Sequence, residues 1–511
     1  MMLDRNFRKS LAFLTTVLLF TFSGSSFSHA AEETSSEQPN ILWLYLEDVS
    51  GWFGCYGDEL AQTPAMDRLA ESGIKFNRFY TPAGVCSATR SAVITGVMQT
   101  TIGAHNHRSS RSEFRGLDLK EYDAIYLPEG MKPIPQIFKE AGYYTFNEGG
   151  VKDDFNFVWK HKDLYDHWEK SLNFKGAKDG TEWTGKAEGQ PFFGQIQIQG
   201  GKFKLNNWKH QRIDRSIVPI PPYYPDIPLV REEIGHHYDC LYETDLQVKA
   251  ILEALQRDDL LENTYIFLFS DHGYRMHRHK QFLYEGGIQM PFILTGPTID
   301  AGKVRDDLIS GIDLGPTSLN LAGIEIPDYC EGVDILAKNY EPREFIVAAR
   351  DRCDHTIEQM RALVTKRFKY LRNGLLDRPY MQPQYRDGLA VTKQIRKMAR
   401  DGELNKVQML FYGDHKPEEE LYDLEADPHE INNLAGDPAY ADELEKHREL
   451  LDQWIEETGD KGQEPESDAG LLATMKRRGG NVCVNPEYDR VRDQYEAWLK
   501  ENPKELKRQN R

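Results

Sequence analysis

The 511-residue sequence is poor in cysteine pairs. Its six cysteines, Cys55, Cys86, Cys240, Cys330, Cys353 and Cys483, are widely scattered and contain no CxxC pair, which excludes a disulfide-stapled scaffold and a zinc ribbon. No apolar run is long enough to span a bilayer, the nearest being LAFLTTVLLFTF at residues 11–22. Positive charge is not in excess either: 63 basic residues face 81 acidic ones, for a formal charge of −18. Nucleic acid and anionic membrane surfaces should repel such a chain, so neither is expected as a partner. No internal repeat is visible.

What is present suits a large enzyme. The chain is 40% hydrophobic and 11% aromatic, ample for a sizeable core. Arg5, Arg8 and Lys9 precede the apolar run and Ser28-His29-Ala30 follows it, the pattern of a signal peptide over residues 1–30. A secreted or periplasmic protein is expected, with no integral membrane segment after cleavage. Apolar runs such as NILWLYL, PFFGQIQIQ, TYIFLFS and MPFILTG read as buried strands, and helical patterns at residues 63–72, 136–141 and 233–256 lie among them. This alternation predicts an α/β fold: a large, mostly parallel sheet covered by helices on both faces. From about residue 340, FIVAA, ALVTKR and FKYLR suggest a small antiparallel sheet. The predicted organisation is a catalytic domain over residues 31–344 and a smaller α+β C-terminal subdomain over residues 345–511. Residues 458–482 read as a loop or linker.

Chemistry collects at strand ends. Glu47-Asp48 follows NILWLYL, Asp271-His272 follows TYIFLFS, and Gly200-Gly201-Lys202 follows the strand near residue 198. Ligands in open parallel sheets bind beyond the carboxyl ends of the strands. Carboxylates converging there repel each other unless a cation lies between them, and such an oxygen-rich site suits calcium or magnesium. In GVCSATRSAVITG, residues 84–96, Cys86 stands at the start of a short helix that Gly96 terminates, with Arg90 one turn on. A helix N-terminus favours negative charge, so this is the pattern of an anion site around a reactive atom. His105 and His107, with Arg108 and Arg111 close by, are candidates for a subsite that binds an anionic sugar. His236 and His237 read as structural or exposed. Trp159, Trp168 and Trp183 are candidates for sugar stacking, with core packing as the commoner fate.

Cys86-Ser87-Ala88-Thr89-Arg90 followed by Thr95-Gly96 resembles the signature of the type I sulfatases, in the alkaline phosphatase superfamily. NILWLYLEDVSGWFGCYGD, TPAMDRLAESGIKFNRFY, SDHG with KQFLYEGGIQMPFIL, and LYDLEADPHEINNLAGDP resemble other segments of that family, in order, between about residues 40 and 437. The resemblance implies that Cys86 is oxidised by a formylglycine-generating maturation enzyme to an aldehyde, which is hydrated to a diol. It implies a divalent metal, calcium with magnesium as the alternative, on Glu47, Asp48, Asp271 and His272; Glu47 and His272 depart from the usual residues. Arg90 matches the residue that holds the diol, and Lys152 and Lys280 match sulfate-binding lysines. Asp154 and Lys202 replace two family histidines. A buried lysine near a metal can shift toward neutrality, so Lys202 is a candidate for the leaving-group acid.

The expected function is an exported sulfuric ester hydrolase that takes sulfate from a sulfated glycan. The rivals are a phosphonate or phosphodiester hydrolase of the same superfamily and a glycan-binding pseudoenzyme. A thiol-dependent hydrolase is disfavoured because the sequence offers no convincing Cys-His-Asn arrangement around Cys86.

Overall fold

The computed structural model describes residues 38–107, 124–148, 155–168, 182–203 and 211–505. The signal segment, Arg108, Arg111, Lys152 and Asp154 lie outside the described residues.

Among the described residues, nine strands make the main sheet: β1 (Asn40–Leu46), β2 (Ile74–Tyr80), β3 (Tyr144–Glu148), β4 (His167–Trp168), β5 (Phe192–Ile198), β6 (Thr264–Ser270), β7 (Gln289–Thr295), β8 (Lys303–Arg305) and β9 (Ile309–Ser310). Their order is β4-β3-β5-β1-β6-β7-β2-β8, with β9 also beside β2. The pairings of β7 are antiparallel and all the others are parallel. Every residue of β1, β5 and β6 is buried, as continuous apolar runs require when helices cover both faces.

The period-two alternation of the strands sorts the core into two chemistries. Leu42, Leu44, Leu46, Ile196, Ile198, Ile266 and Leu268 point to one face, against helices Pro64–Glu71 and Pro228–Arg257. Ile41, Trp43, Tyr45, Phe193, Phe267 and Phe269 point to the other, against helices Cys86–Thr95, Ile134–Glu140 and Leu314–Leu321. Trp43 donates its indole N–H to Ser318 Oγ at 2.9 Å, which removes the cost of burying that polar group. Each such side chain contributes about 1.5–3 kcal/mol of burial, so this core dominates the fold.

A second sheet, β10 (Ile346–Arg350), β11 (Met360–Val364), β12 (Phe368–Asn373) and β13 (Glu419–Asp423), is antiparallel throughout. It shares a core with the first: Tyr80, Phe282 and Ile288 pack with Ile346, Met360 and Leu371. Residues 458–482 are not the expected linker, because helix Asp468–Arg478 forms there. Ser467 caps it by accepting from Gly470 N at 3.2 Å, and Leu471 and Met475 bury against Tyr488, Val491 and Tyr495. Two apolar residues one turn apart sufficed, within a stretch whose composition is polar. Among the described residues no helix is long and apolar enough to cross a membrane. No disulfide joins any of the six cysteines, all of which are among the described residues.

Candidate active site

β5, β1 and β6 are adjacent, and Leu46 stands opposite Ile198 on one side and Ser270 on the other. The chain therefore leaves all three strands at one level. Glu47, Asp48 and Asp271 converge there, fully buried, with ligand oxygens within 4.8 Å of one another. Asp48 adopts a left-handed conformation with φ 52° and donates its N–H to Asp271 Oδ1 at 3.0 Å. Backbone strain of this kind persists where the surroundings fix it, which is common at functional sites. His272 turns Nε2 toward Asp48 Oδ1 at 3.4 Å and Asp271 Oδ2 at 3.6 Å. That nitrogen is buried and has no hydrogen-bond partner; His272 groups with Asp271 and Cys86, while Glu47 and Asp48 group with the same Asp271, so Asp271 joins the two sets.

Three cations press on the carboxylates. Arg90 Nη2 donates to Glu47 Oε1 at 2.6 Å and to Asp271 Oδ2 at 3.3 Å. Its Nη1 donates to Gln197 Oε1 at 2.8 Å, and the guanidinium stacks 3.8 Å from the Tyr45 ring centroid. Lys280 Nζ holds both oxygens of Asp48. Lys202 Nζ pairs with Glu47 Oε2 and lies 3.1 Å from Asp48 Oδ1. Burial works to raise Asp48, but Lys202, Lys280 and His272 outweigh it and hold its carboxyl well below the usual range. Burial, reinforced by Glu47, pushes Asp271 up to about 6 against the pull of His272 and Arg90. For Lys202 the protein's own carboxylates work against the expected shift toward neutrality. Burial lowers its pKa, but Asp48 and Glu47 raise it further, so its ammonium stays protonated.

Helix Cys86–Thr95 is buried along its whole length and ends at Gly96 with φ 69°. Val85 at its N-cap has no side-chain acceptor and makes no side-chain capping hydrogen bond. The side chain at position 86 is a buried thiol. His107 Nε2 is 3.6 Å from that sulfur, and His107 Nδ1 is 3.9 Å from Asp354 Oδ1. A cysteine–histidine–carboxylate line therefore exists around Cys86, contrary to the sequence expectation. It went unseen because Asp354 lies 247 residues beyond His107 and belongs to the loop after β10.

Sequence reasoning also missed the residue that fixes Lys280. Arg386 Nη2 donates to Lys280 O at 2.8 Å and Gln281 Oε1 at 2.6 Å, and Nη1 donates to Arg275 O at 2.6 Å. Gln281 N in turn donates to Gly84 O at 2.7 Å, which ties this loop to the cysteine segment. Arg386 follows a stretch with no motif, and nothing in its surroundings marked it.

The remaining candidates separate. His105 does not join His107 at Cys86; it lines a cavity of about 300 Å³ with Asp351, Arg352 and Glu466, and burial lowers its pKa. His237 is buried under the Gly200-Gly201 turn, while His236 approaches Cys240 Sγ at 3.1 Å. Trp159 and Trp183 are core residues, and Trp168 is partly buried beside His161.

A family model for the sulfatases matches residues 39–324. An ulvan-active sulfatase of Formosa agariphila is 33% identical over 471 residues, 86% of this chain and 78% of that protein. A solved structure in complex with its substrate, D-glucosamine-2-N,6-O-disulfate, superposes with a TM-score of 0.61 at 18% identity, covering 84% of this chain and 100% of the other. A phosphonate monoester hydrolase of Agrobacterium radiobacter superposes with a TM-score of 0.58 at 16% identity, covering 82% and 96%. The last two share the fold, an alkaline phosphatase-like sheet flanked by helices. Taken with the matched family model and the 33% identity, the convergence of Cys86, Arg90 and the buried acids at three flush strand ends places the chain: it belongs to the sulfatase family of the alkaline phosphatase superfamily, and it is a sulfatase enzyme.

Proposed function

We propose that this sulfatase is exported and removes sulfate from a sulfated carbohydrate, with Cys86 converted to formylglycine by a maturation enzyme and a divalent metal on Glu47, Asp48, Asp271 and His272. The observation that carries the reading is the cluster of three buried carboxylates beside the first turn of the Cys86 helix. Its donor set fits a hard cation: carboxylate oxygens dominate, and the buried Nε2 of His272 has a lone pair to give. Calcium suits it best, with magnesium as the alternative. Bound there, such an ion supplies Lewis-acid polarisation and offsets the acidic charge. The hydrated aldehyde supplies two oxygens on one carbon, one to displace the alcohol from sulfur and one to expel sulfate.

The residues around that point hold an anion in place. Arg90 is locked by Tyr45, Gln197 and two carboxylates, so its fork is fixed before substrate arrives. Lys202, about a quarter exposed and paired with Glu47, offers a charged N–H to hydrogen-bond the departing alcohol oxygen. Lys280 stands ready for a sulfate oxygen, and Lys152 is assigned the same task by its motif. Together these cations form the positive island that a chain of net charge −18 needs to bind a sulfate ester. The carbohydrate assignment is supported by the names of the ulvan-active relative and of the disulfated-glucosamine complex. A secreted or periplasmic location is supported by the leader pattern of residues 1–30.

The deciding experiment is mass spectrometry of the peptide that contains residue 86, followed by assay of inorganic sulfate released from a panel of sulfated glycans, ulvan fragments included. Conversion of residue 86 with sulfate release supports the reading. Full conversion with no release from any ester supports a glycan-binding role instead, and faster cleavage of phosphonate than of sulfate esters of the same alcohol moves the chain to the rival chemistry.

A further inference from the structure

We propose that His107 is the base that takes a proton from residue 86 as sulfate departs, with Asp354 as its positioning residue; this rests on the reading of residue 86 given above. His107 is buried, and its Nε2 faces the residue-86 side chain at 3.6 Å. An imidazole accepts at Nε2 only if its proton sits on Nδ1, and the Asp354 carboxylate 3.9 Å from Nδ1 favours that tautomer. Asp354 is itself over-determined. It is buried at φ 57° and forms an ion pair with Arg478, from the helix that sequence reasoning took for linker. The two segments are also stitched through their backbones. His107 N donates to Arg352 O at 2.8 Å, Arg352 N donates to Asn106 Oδ1 at 3.0 Å, and Arg352 Nη1 donates to the carbonyls of His107 and Asp354. Glu466 in turn pairs with Arg352. Three stretches of chain far apart in sequence thus converge to hold one imidazole against residue 86.

The other described groups nearby are poor bases. Arg90 is permanently charged, Lys202 and Lys280 are paired to carboxylates, and His272 stands among the proposed metal ligands. In the proposed step, neutral His107 Nε2 takes the proton of the free hydroxyl on residue 86. The O–H electron pair becomes the carbon–oxygen double bond, the bond from that carbon to the sulfate oxygen breaks, and its pair leaves on sulfate. A total charge of −1 before the step becomes −2 on sulfate and +1 on the imidazolium, so atoms and charge balance. No water attacks sulfur.

The test uses full-length protein with residue 86 conversion measured by mass, comparing wild type with His107→Gln and Asp354→Asn on an aryl sulfate. General-base catalysis contributes about 10²–10⁴-fold, so His107→Gln should lower steady-state turnover roughly 100-fold. The first equivalent of phenol should still be released within about threefold of the wild-type rate, and the residue-86 peptide should gain the mass of one sulfate group. Asp354→Asn should lower turnover about tenfold with the same mass gain. A second readout needs no converted enzyme: in unconverted protein, alkylation of Cys86 by iodoacetamide at pH 7 should slow about tenfold in His107→Gln. The proposal is overturned if either variant keeps wild-type turnover, or if the first turnover falls as far as the steady state with no mass gain. If His107→Gln fails to fold, Asp354→Asn decides by the same criteria. Absence of sulfate release by fully converted wild type sinks the reading of residue 86 instead, and the alkylation comparison still decides whether His107 serves as a base there.

Discussion

Lys280 donates to both oxygens of Asp48, each at 2.8 Å, with both side chains nearly excluded from solvent. The carboxylate that the proposed metal would use is thus already neutralised by a residue from another loop. Removing one partner of a buried pair leaves an uncompensated charge and costs about 3–5 kcal/mol. Lys280→Met should therefore lower the Tm of chelator-treated protein, and calcium should restore more of it than in wild type, because the ion replaces the lost positive charge. Differential scanning fluorimetry with and without calcium checks this. An equal calcium-induced rise in the two proteins would show that Asp48 is not a ligand.

A pH dependence follows from Asp271. Burial and Glu47 raise its carboxyl from 3.8 to about 6. The folded site therefore binds a proton more readily than the unfolded chain, and a metal must displace that proton to bind. Calcium affinity should be flat above pH 7 and fall about tenfold per unit below about 6, while one group controls binding. Isothermal titration at pH 5, 6 and 7 measures it. An unchanged dissociation constant across that range would remove Asp271 from the ligand set.

How much of this was legible depended on whether the signal was local. β1, β5 and β6 announce themselves as continuous apolar runs, and the polar pairs after them mark the site because doubly wound sheets bind ligands at strand ends. Helix Cys86–Thr95 and its terminal glycine were also readable. What could not be read were the supports. Asp354 reaches His107 and Arg386 reaches the Lys280 loop only through the second sheet and the loops beyond it. Neither residue stands in a periodic pattern or a motif. The carboxylates around Lys202 were legible too, but their joint pull on its pKa shows only once Asp48 and Glu47 are brought beside it.

Arg90 invites a conservative replacement that should not be conservative. Its guanidinium bonds Glu47, Asp271 and Gln197 at once and stacks on Tyr45. An ammonium has no planar fork and cannot meet these partners in the same directions. Arg90→Lys should lose at least about 100-fold in kcat/KM, and its Tm should fall by several degrees because buried acceptors are left unmet. Kinetics and thermal melts on the purified variant check both. A variant with wild-type turnover would mean that only the charge matters.

Gly201 offers the sharpest test of how the strand ends are assembled. A Cβ there would stand 2.3 Å from Asp48 O and 3.2 Å from His237 Nδ1, while Gly201 N donates to Glu47 O at 2.8 Å. The turn after β5 therefore lies directly on the backbone of Glu47 and Asp48, the proposed metal ligands, and that closeness brings Lys202 onto Glu47. Gly201→Ala must push the turn and the pair apart, since the obstacle is backbone. Overpacking of this kind costs about 1–3 kcal/mol, and a displacement near 1 Å at a catalytic group costs about 100-fold in rate. The variant should keep the far-UV circular dichroism of the wild type, melt a few degrees lower, and lose about two orders of magnitude in turnover. Gly388→Ala is the control, because a Cβ there meets nothing within 4 Å. If Gly201→Ala were as active as Gly388→Ala, the close packing of the turn on Asp48 would have no part in setting the position of Lys202.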